Sequence, residues 1–489
     1  MTATDTAAAA IAERDWTISV GGRALPATAR ADVEDPATGQ VITTVPDCSP
    51  EDVDRVVRAA AEAQRAWGLL PARARGTKVR EFAAALRANA TELATLDAVD
   101  AGFTLPVMLA DVEAAAILCE IMADHALALG GTTYPLSGNL HYSLNQPYGV
   151  VGRIIPFNHP LFFAAGKVAA PLVAGNTVVL KAPDQTPLTA LRMAELAADV
   201  FGPDLCTVIT GRGAVSGQAL VQHPLVKRIG FIGAPETGRL IQREAAEAGV
   251  KYVSLELGGK NALIVMPDAD LARAADSAVS GMNYTATAGQ SCGSTSRLLL
   301  HESVAEQVLE NVVEQVRAIR VGHPLAEGTQ MGPVIDRKQY DKSIDTIGEA
   351  TAAGAAVLAG GGRPDTVGPD GYYVAPTVLG RMNPDNPAAV REIFGPVLSA
   401  LTFRDEAEAV RIANQSEFGL TAGVWTSDVT RAHRMAAQLE AGYVWVNGSS
   451  RHYWGLPFGG LKGSGIGREE SVDELLSYTE TKAVTVVLD

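Results

Sequence analysis

The sequence predicts an α/β protein of two or three domains, built on parallel sheets with helices over both faces. Three observations carry that prediction. The chain has 489 residues, more than a single hydrophobic core usually serves. Its 48 glycines and 26 prolines can punctuate many elements in an otherwise ordinary globular composition. Short β-rich runs alternate with helical stretches in two successive sets, the pattern of βαβ units.

The elements follow in order. Ser49, Pro50 and Asp52 form a capping signature, and Val53, Val56, Val57, Ala60, Ala63 and Trp67 follow at helical spacing. Further helices are expected over Lys78–Leu96 and Leu105–Leu129. The segment Tyr134–Pro147, with Pro135, Ser137, Gly138 and Asn139 as turn residues, reads as a β-hairpin standing apart. The first alternating set has strands at Val150–Ile155, Thr177–Lys181, Cys206–Thr210, Arg228–Ile232 and Tyr252–Leu257, with helices such as Pro160–Val173 and Pro187–Phe201 between them. The second has strands at Asn261–Met266, Ser296–His301, Ala356–Leu358 and Val397–Phe403, and a helix near Ser303–Ile319. Disorder is suggested only for the Ala-rich first dozen residues.

Charge and cysteine usage exclude several classes. A formal net charge of -15 repels nucleic acid and anionic membranes. Cys48, Cys119, Cys206 and Cys292 stand singly, so neither a disulfide framework nor a zinc site is expected. The stretch Met1 to Trp16 lacks the basic and apolar regions of a secretory signal, and no apolar run is long enough to span a bilayer. A reduced, cytoplasmic protein is expected.

A few residues stand out chemically. Gly211-Arg-Gly213-Ala-Val-Ser-Gly217 approximates a dinucleotide fingerprint, but its third glycine comes one residue late and an ordinary turn accounts for it. Phe231-Ile-Gly233-Ala234-Pro-Glu-Thr-Gly238 runs from a strand through a Gly-bounded turn into a helix near Thr237, a natural anion site. Cys292 lies in Ala288-Gly-Gln-Ser-Cys292-Gly-Ser-Thr-Ser-Arg297; small polar neighbours permit close approach of a substrate. The residues alone leave a reactive and a structural cysteine equally open. Glu256, in Ser254-Leu-Glu256-Leu-Gly-Gly-Lys260, ends an apolar strand. It is either a solvated surface group or a desolvated carboxylate with a raised pKa, useful as a base. Asn158, in Ile154-Ile-Pro-Phe157-Asn158-His-Pro160, either caps the next helix or donates to an oxyanion.

Taken together, these segments resemble the aldehyde dehydrogenase superfamily, in the family's order along the chain. Pro156-Phe-Asn158-His-Pro160 resembles its Pro-Trp-Asn-x-Pro segment, and Lys181-Ala-Pro-Asp184-Gln-Thr-Pro187 its Lys-Pro-x-Glu-x-Thr-Pro run. Glu256-Leu-Gly-Gly-Lys260, Gly289-Gln-Ser-Cys292 and Glu392-Ile-Phe394-Gly-Pro-Val397 match family motifs, as does the long run from Pro457 to Glu469. The resemblance covers residues 20 to 489. It implies a Rossmann-type NAD-binding domain over 1–128 and 148–257, an α/β catalytic domain over 258–468, and a small β oligomerisation element. The last joins 129–147 to 469–489, including a tail strand Ala483–Leu488, and would make a homodimer or homotetramer.

By the same resemblance Cys292 attacks the aldehyde, the oxyanion is held by Asn158 and the Cys292 backbone N–H, and Glu256 activates water to hydrolyse the thioester. Lys167 and Glu469 match positions linked to proton relay. For the cofactor, Lys181 and Asp184 fall where the family grips the adenosine ribose, and Glu392 where it grips the nicotinamide ribose, with Phe394 nearby. Ile154, Phe157, Gly213, Phe231, Gly233, Ala234, Gly238 and Leu257 complete the expected cofactor contacts. An acid at 184 suits ribose hydroxyls and repels a 2′-phosphate, which favours NAD over NADP. Asp184 is shorter than the family's usual Glu, and Ala234 replaces the commoner Ser, removing a pyrophosphate hydrogen bond. Phe157 in place of Trp, the small Ala286, Ser291 and Gly293, and the loop Arg451-His-Tyr-Trp454 suit a medium or aromatic aldehyde. The alternatives are a CoA-acylating semialdehyde dehydrogenase, which generally lacks the Glu256 equivalent, and an idle structural protein on the same fold, as some lens crystallins are. A glutamyl-phosphate or proline-pathway relative would need extra domains or different cysteine surroundings.

Overall fold

The computed structural model describes residues 9–488. Of the Ala-rich first dozen, residues 9–12 are helical and Ile11 is buried; the others lie outside the described residues. Pro50–Leu69 is a helix closed by the expected capping box, Ser49 and Asp52 each bonding the other's backbone N–H. It buries Val53, Val56, Val57, Ala60 and Trp67. The helix expected over Lys78–Leu96 is two, Ala72–Ala88 and Ala90–Asp100. Asn89 leaves helical geometry at φ -111° and ψ 18°, and its side chain bonds back to the Ala85 carbonyl at 2.8 Å, the competition with the helix ladder that Asn commonly offers. Leu105–Asp124 follows, ending in a 3₁₀ turn at His125–Leu129.

Two sheets organise the rest. The first has six strands in the spatial order Gly465–Ile466, Tyr252–Glu256, Val226–Ile232, Val150–Ile154, Thr177–Lys181, Cys206–Ile209, parallel except for the first. The chain enters at Val150–Ile154, moves outward twice, then returns to the other side of its starting strand at Val226–Ile232. That reversal opens a crevice beyond the carboxyl ends of the two central strands, the usual ligand position in such sheets. The second has seven strands in the order Ala356–Ala359, Thr377–Gly380, Val397–Phe403, Arg297–His301, Ala262–Val265, Thr421–Trp425, Tyr443–Val446, parallel except for the first pair. Strand periodicity divides its core: Leu263 and Val265 join one apolar cluster, Ala262 and Ile264 the one on the opposite face. Both faces are therefore covered, as parallel sheets require.

The hairpin expected over Tyr134–Pro147 is corrected. Only Leu140–Pro147 is a strand; its other arm is reduced to an isolated bridge between Thr133 and Tyr142. Its full-length partner is the tail strand Thr479–Val486, antiparallel from Thr479 opposite Pro147 to Val486 opposite Leu140. That strand begins four residues before the expected Ala483. Leu136, Leu140, Leu144, Val487 and Leu488 stay exposed around this ribbon. No helix among the described residues is long and apolar enough to cross a membrane.

Candidate active site

The strand Val150–Ile154 delivers Asn158 to the crevice, and the helix Pro160–Ala174 starts immediately after it. Capping, the commoner role for Asn158, is taken by another residue: Asp97, from the helix Ala90–Asp100, accepts the Leu161 N–H at 3.1 Å. A carboxylate at a helix N-terminus is well placed. Asn158 is thus released, and its buried Oδ1 has no hydrogen-bond partner among the described residues.

Glu256 ends the strand Tyr252–Glu256, in register with Ile232 and with Gly465. It is 4% exposed, and its Oε1 also lacks a partner among the described residues. Burial, reinforced by the charge of Glu469, pushes its pKa up to about 7. Two glycines behind it let neighbouring groups approach closely, backbone at Gly259 and a side chain at Gly258. A Cβ at Gly258 would meet the Glu392 carboxylate at 2.1 Å, and one at Gly259 the Cys292 carbonyl oxygen at 2.4 Å.

Cys292 sits in a turn closed by Ser294 N–H donating to the Ser291 carbonyl at 3.1 Å. One side chain pins this turn to the sheet. Asn261 Nδ2 donates to the carbonyls of Cys292 at 2.7 Å and Ser294 at 2.9 Å, while its Oδ1 accepts the Thr421 N–H at 3.0 Å. In the sequence Asn261 opens an expected strand and carries no role; its only signal is its position directly after the Glu256 motif. Unlike the other three cysteines, Cys292 is partly exposed. Burial and the adjacent Glu256 carboxylate hold its thiol well above the ordinary pKa, so it rests as a thiol beside a carboxylate able to take its proton.

Two cavities meet here, and Cys292 and Glu256 line both. The larger, about 570 Å³, extends from Asn158 along Phe157, Gly233, Ala234 and Leu257 to Glu392 and Phe394. Phe157 and Phe394 meet edge to face at 5.8 Å. Glu392 Oε1 accepts the Gly259 N–H at 2.9 Å, and burial raises its pKa. The helix Pro235–Ala248 points its N-terminus, capped at Ala234, at this cavity. Sequence reasoning missed Gln185, Glu236, Asp336, Lys338, Gln339 and Lys342 on its wall: the first two lie inside motifs singled out for other residues, and the rest come from a helix and its cap without a chemical signature. The remaining expected cofactor residues lie behind or beside the wall. Ile154 pairs with Lys181 and Phe231 in the sheet. Gly238 packs where a Cβ would strike Leu257 at 2.8 Å. Lys181 is ion-paired with Asp184, and Asp184 Oδ2 accepts the Gly213 N–H at 3.4 Å.

The smaller cavity, about 240 Å³, is walled by Phe162, Phe163, Trp445, Trp454 and Phe458, with Ser291 and Gly293 beside the thiol. Of the loop 451–454, His452 and Trp454 reach it; Arg451 and Tyr453 do not, and neither does Ala286. Lys167 and Glu469 form a buried charge cluster beneath. Lys167 Nζ is 2.8 Å from Glu469, and Arg153 donates to Glu469 through both terminal nitrogens at 3.1 Å.

A thiol, a carboxylate and an amide, the last two each with one oxygen that lacks a partner among the described residues, thus border one junction between an aromatic pocket and a cleft fit for a dinucleotide. No group of metal-ligating side chains occurs among the described residues. The sequence pattern of the aldehyde dehydrogenase family matches residues 25–484. The chain is 42% identical to aldehyde dehydrogenase tropH of Talaromyces stipitatus, over 94% of this chain and 90% of that one. Among solved structures, betaine aldehyde dehydrogenase of Staphylococcus aureus in complex with NAD+ superposes with a TM-score of 0.94 at 33% identity, covering 98% of this chain and 97% of that one. NAD-dependent aldehyde dehydrogenase from Sinorhizobium meliloti does so at 0.95 and 35% identity, covering 99% and 97%.

Proposed function

This chain belongs to the aldehyde dehydrogenase family and is an NAD(P)-dependent enzyme that oxidises aldehydes; from that premise we propose how its own residues do so. Cys292 is the nucleophile. Glu256 takes the thiol proton, and the sulfur adds to the aldehyde carbonyl to give a thiohemiacetal. The Asn158 amide and the Cys292 backbone N–H hold the oxyanion. NAD(P), when bound, supplies the hydride acceptor. Glu256 gives the thiol proton up to solvent, then deprotonates water for attack on the thioester, and Cys292 leaves as the acid is released. Lys167 and Glu469 fix the charge environment beneath Glu256 and serve proton relay.

The observation that carries this reading is that Cys292 and Glu256 border both cavities at once. The larger cavity fits the dinucleotide: it offers a helix N-terminus at Ala234 for the pyrophosphate, the Glu392 carboxylate for ribose hydroxyls and Phe394 beside the ring. Lys181, Asp184 and Gly213 lie further along the same sheet end, and the acid at 184 favours NAD over NADP. Ile154, Phe231, Gly238 and Leu257 shape the floor. The aromatic wall of the smaller cavity suits a medium or aromatic aldehyde. Residues 1–128 and 148–257 serve as the cofactor domain, 258–468 as the catalytic domain, and 129–147 with 469–489 as an oligomerisation element. The apolar side chains around its ribbon would pack in a homodimer or homotetramer. The enzyme works in the cytoplasm. An aldehyde panel followed by NADH absorbance, with NAD and NADP in parallel, tests the proposal. Acid formation that proceeds without CoA supports it, and a strict requirement for CoA overturns it.

A further inference from the structure

The aromatic cavity carries two features that the oxidation itself does not use. His159 and His452 both line it, and each has a carboxylate behind its inner nitrogen. His159 Nδ1 lies 2.7 Å from Asp111 Oδ2, and His452 Nδ1 lies 2.9 Å from Glu470 Oε2. Asp111 and Glu470 are themselves largely buried, at 14% and 4% side-chain exposure. Such a carboxylate fixes the imidazole's orientation and tautomer, leaving Nε2 as the free polar atom. The rings are held from the sides as well. His452 lies 4.6 Å from Phe458 and 5.7 Å from Trp454 between centroids, and His159 meets Phe163 edge-on at 5.9 Å. Neither Nε2 has a hydrogen-bond partner among the described residues, and neither is sealed from solvent.

The cavity also limits what can enter. Benzene fills an engineered apolar cavity of about 150 Å³, so about 240 Å³ accommodates one substituted ring. Asp111, Glu256 and Glu470 border it, and no Lys or Arg among the described residues does, so an anionic substituent is repelled. A hydroxyl is neutral, and it both donates and accepts. It therefore matches an imidazole Nε2 whether that nitrogen carries a proton or a lone pair. A methoxy group, which only accepts, does not.

We propose that the substrate is an aromatic aldehyde bearing a ring hydroxyl, which the carboxylate-backed imidazoles His159 and His452 recognise. This rests on the reading of Cys292 as the nucleophile at the cavity floor. Both imidazoles are specificity-determining residues and take no part in bond making. A site built to bond a hydroxyl discriminates strongly against analogues lacking it. The partial exposure of these rings, 23% and 27% at the side chain, reduces that to about tenfold.

The test is a comparison of kcat/KM for the three hydroxybenzaldehydes, benzaldehyde, the methoxybenzaldehydes, 4-carboxybenzaldehyde, betaine aldehyde and hexanal in the wild-type enzyme, His159→Phe and His452→Phe. At least one hydroxybenzaldehyde is expected to exceed both benzaldehyde and its methoxy counterpart by about tenfold. That ratio, which is insensitive to the amount of folded enzyme, should collapse toward one in at least one variant. His159→Gln and His452→Gln, which retain a polar side chain, should keep more of it. Equal kcat/KM for hydroxy and plain rings, a preference for betaine aldehyde, hexanal or the carboxylate, or a ratio unchanged in both Phe variants would overturn the proposal while leaving the Cys292 mechanism standing. Absence of NADH from every aldehyde would instead sink the mechanism, and the proposal with it.

Discussion

Glu256 and Glu469 are two glutamates with nearly the same burial, 4% and 6% exposed, and opposite chemistry. Burial raises the pKa of both. At Glu256 burial and the charge of Glu469 outweigh the Cys292 hydrogen bond and the more distant Lys167 charge, and its pKa rises to about 7. At Glu469 the charges of Lys167 and Arg153 outweigh burial, and it falls to about 2. Desolvation sets how far a carboxylate can be moved; the counter-charges beside it decide the direction. One carboxyl titrates near neutral pH, and the other is an anion there that offsets the two cations buried against it.

The largest effect that bears on this contrast concerns the thiol the unpaired carboxylate faces. Cys292→Ala should lose turnover by about 10⁴-fold or more while still binding NADH in a fluorescence titration; measurable turnover would detach Glu256 from any nucleophile. Next comes the paired carboxylate. Glu469→Ala leaves Lys167 and Arg153 buried without their main counter-charge, and chemical denaturation should report a loss of about 3–5 kcal/mol. Glu256→Gln should show no such loss. A carboxylate with a raised folded pKa favours the native state while protonated, below its ordinary pKa of 4.5, and that contribution is lost as pH rises through about 7. The Gln variant should therefore equal or exceed the wild type in stability at pH 8. Equal losses in both variants would erase the contrast.

Asn158→Ala, which removes an amide from the same junction, should lower kcat by about 10²–10³-fold with little change in stability. In the free enzyme kcat/KM should rise with pH through about 7 as Glu256 ionises, and Glu256→Gln should lack that limb. The smallest effect lies on the cofactor side. Ala234→Ser adds a hydroxyl at the N-cap of the helix Pro235–Ala248 and should lower the KM for NAD by about fivefold.

Local patterns were legible in the sequence, and partnerships across the chain were not. The capping box at Ser49 and Asp52, the strand Thr177–Lys181 and the strand-terminal position of Glu256 follow from neighbours in sequence, and the structure has them nearly to the residue. The setting of Cys292 was visible in its small polar neighbours, but the Asn261 side chain that holds its turn acts across 31 residues. Whether Asn158 caps a helix could not be read, because its competitor for that role, Asp97, precedes Leu161 by 64 residues. The hairpin over Tyr134–Pro147 was misread from its turn residues, whereas the tail strand that pairs with Leu140–Pro147, which begins at Thr479, was implied only by the resemblance. Asp111 with His159, and Glu470 with His452, likewise become visible only when helices and loops are packed together.

The division of labour between thiol and carboxylate is tested most directly by mixing Glu256→Gln with NAD and a good aldehyde, following NADH by stopped flow and the protein by intact mass. The account predicts up to one equivalent of NADH per subunit, formed more slowly than in the wild type because the thiol has lost its base, then a steady state slowed further, by about 10²–10⁴-fold, with an acyl group accumulating on the peptide that contains Cys292. Steady turnover at the wild-type rate, with no acyl adduct on that peptide, would contradict it.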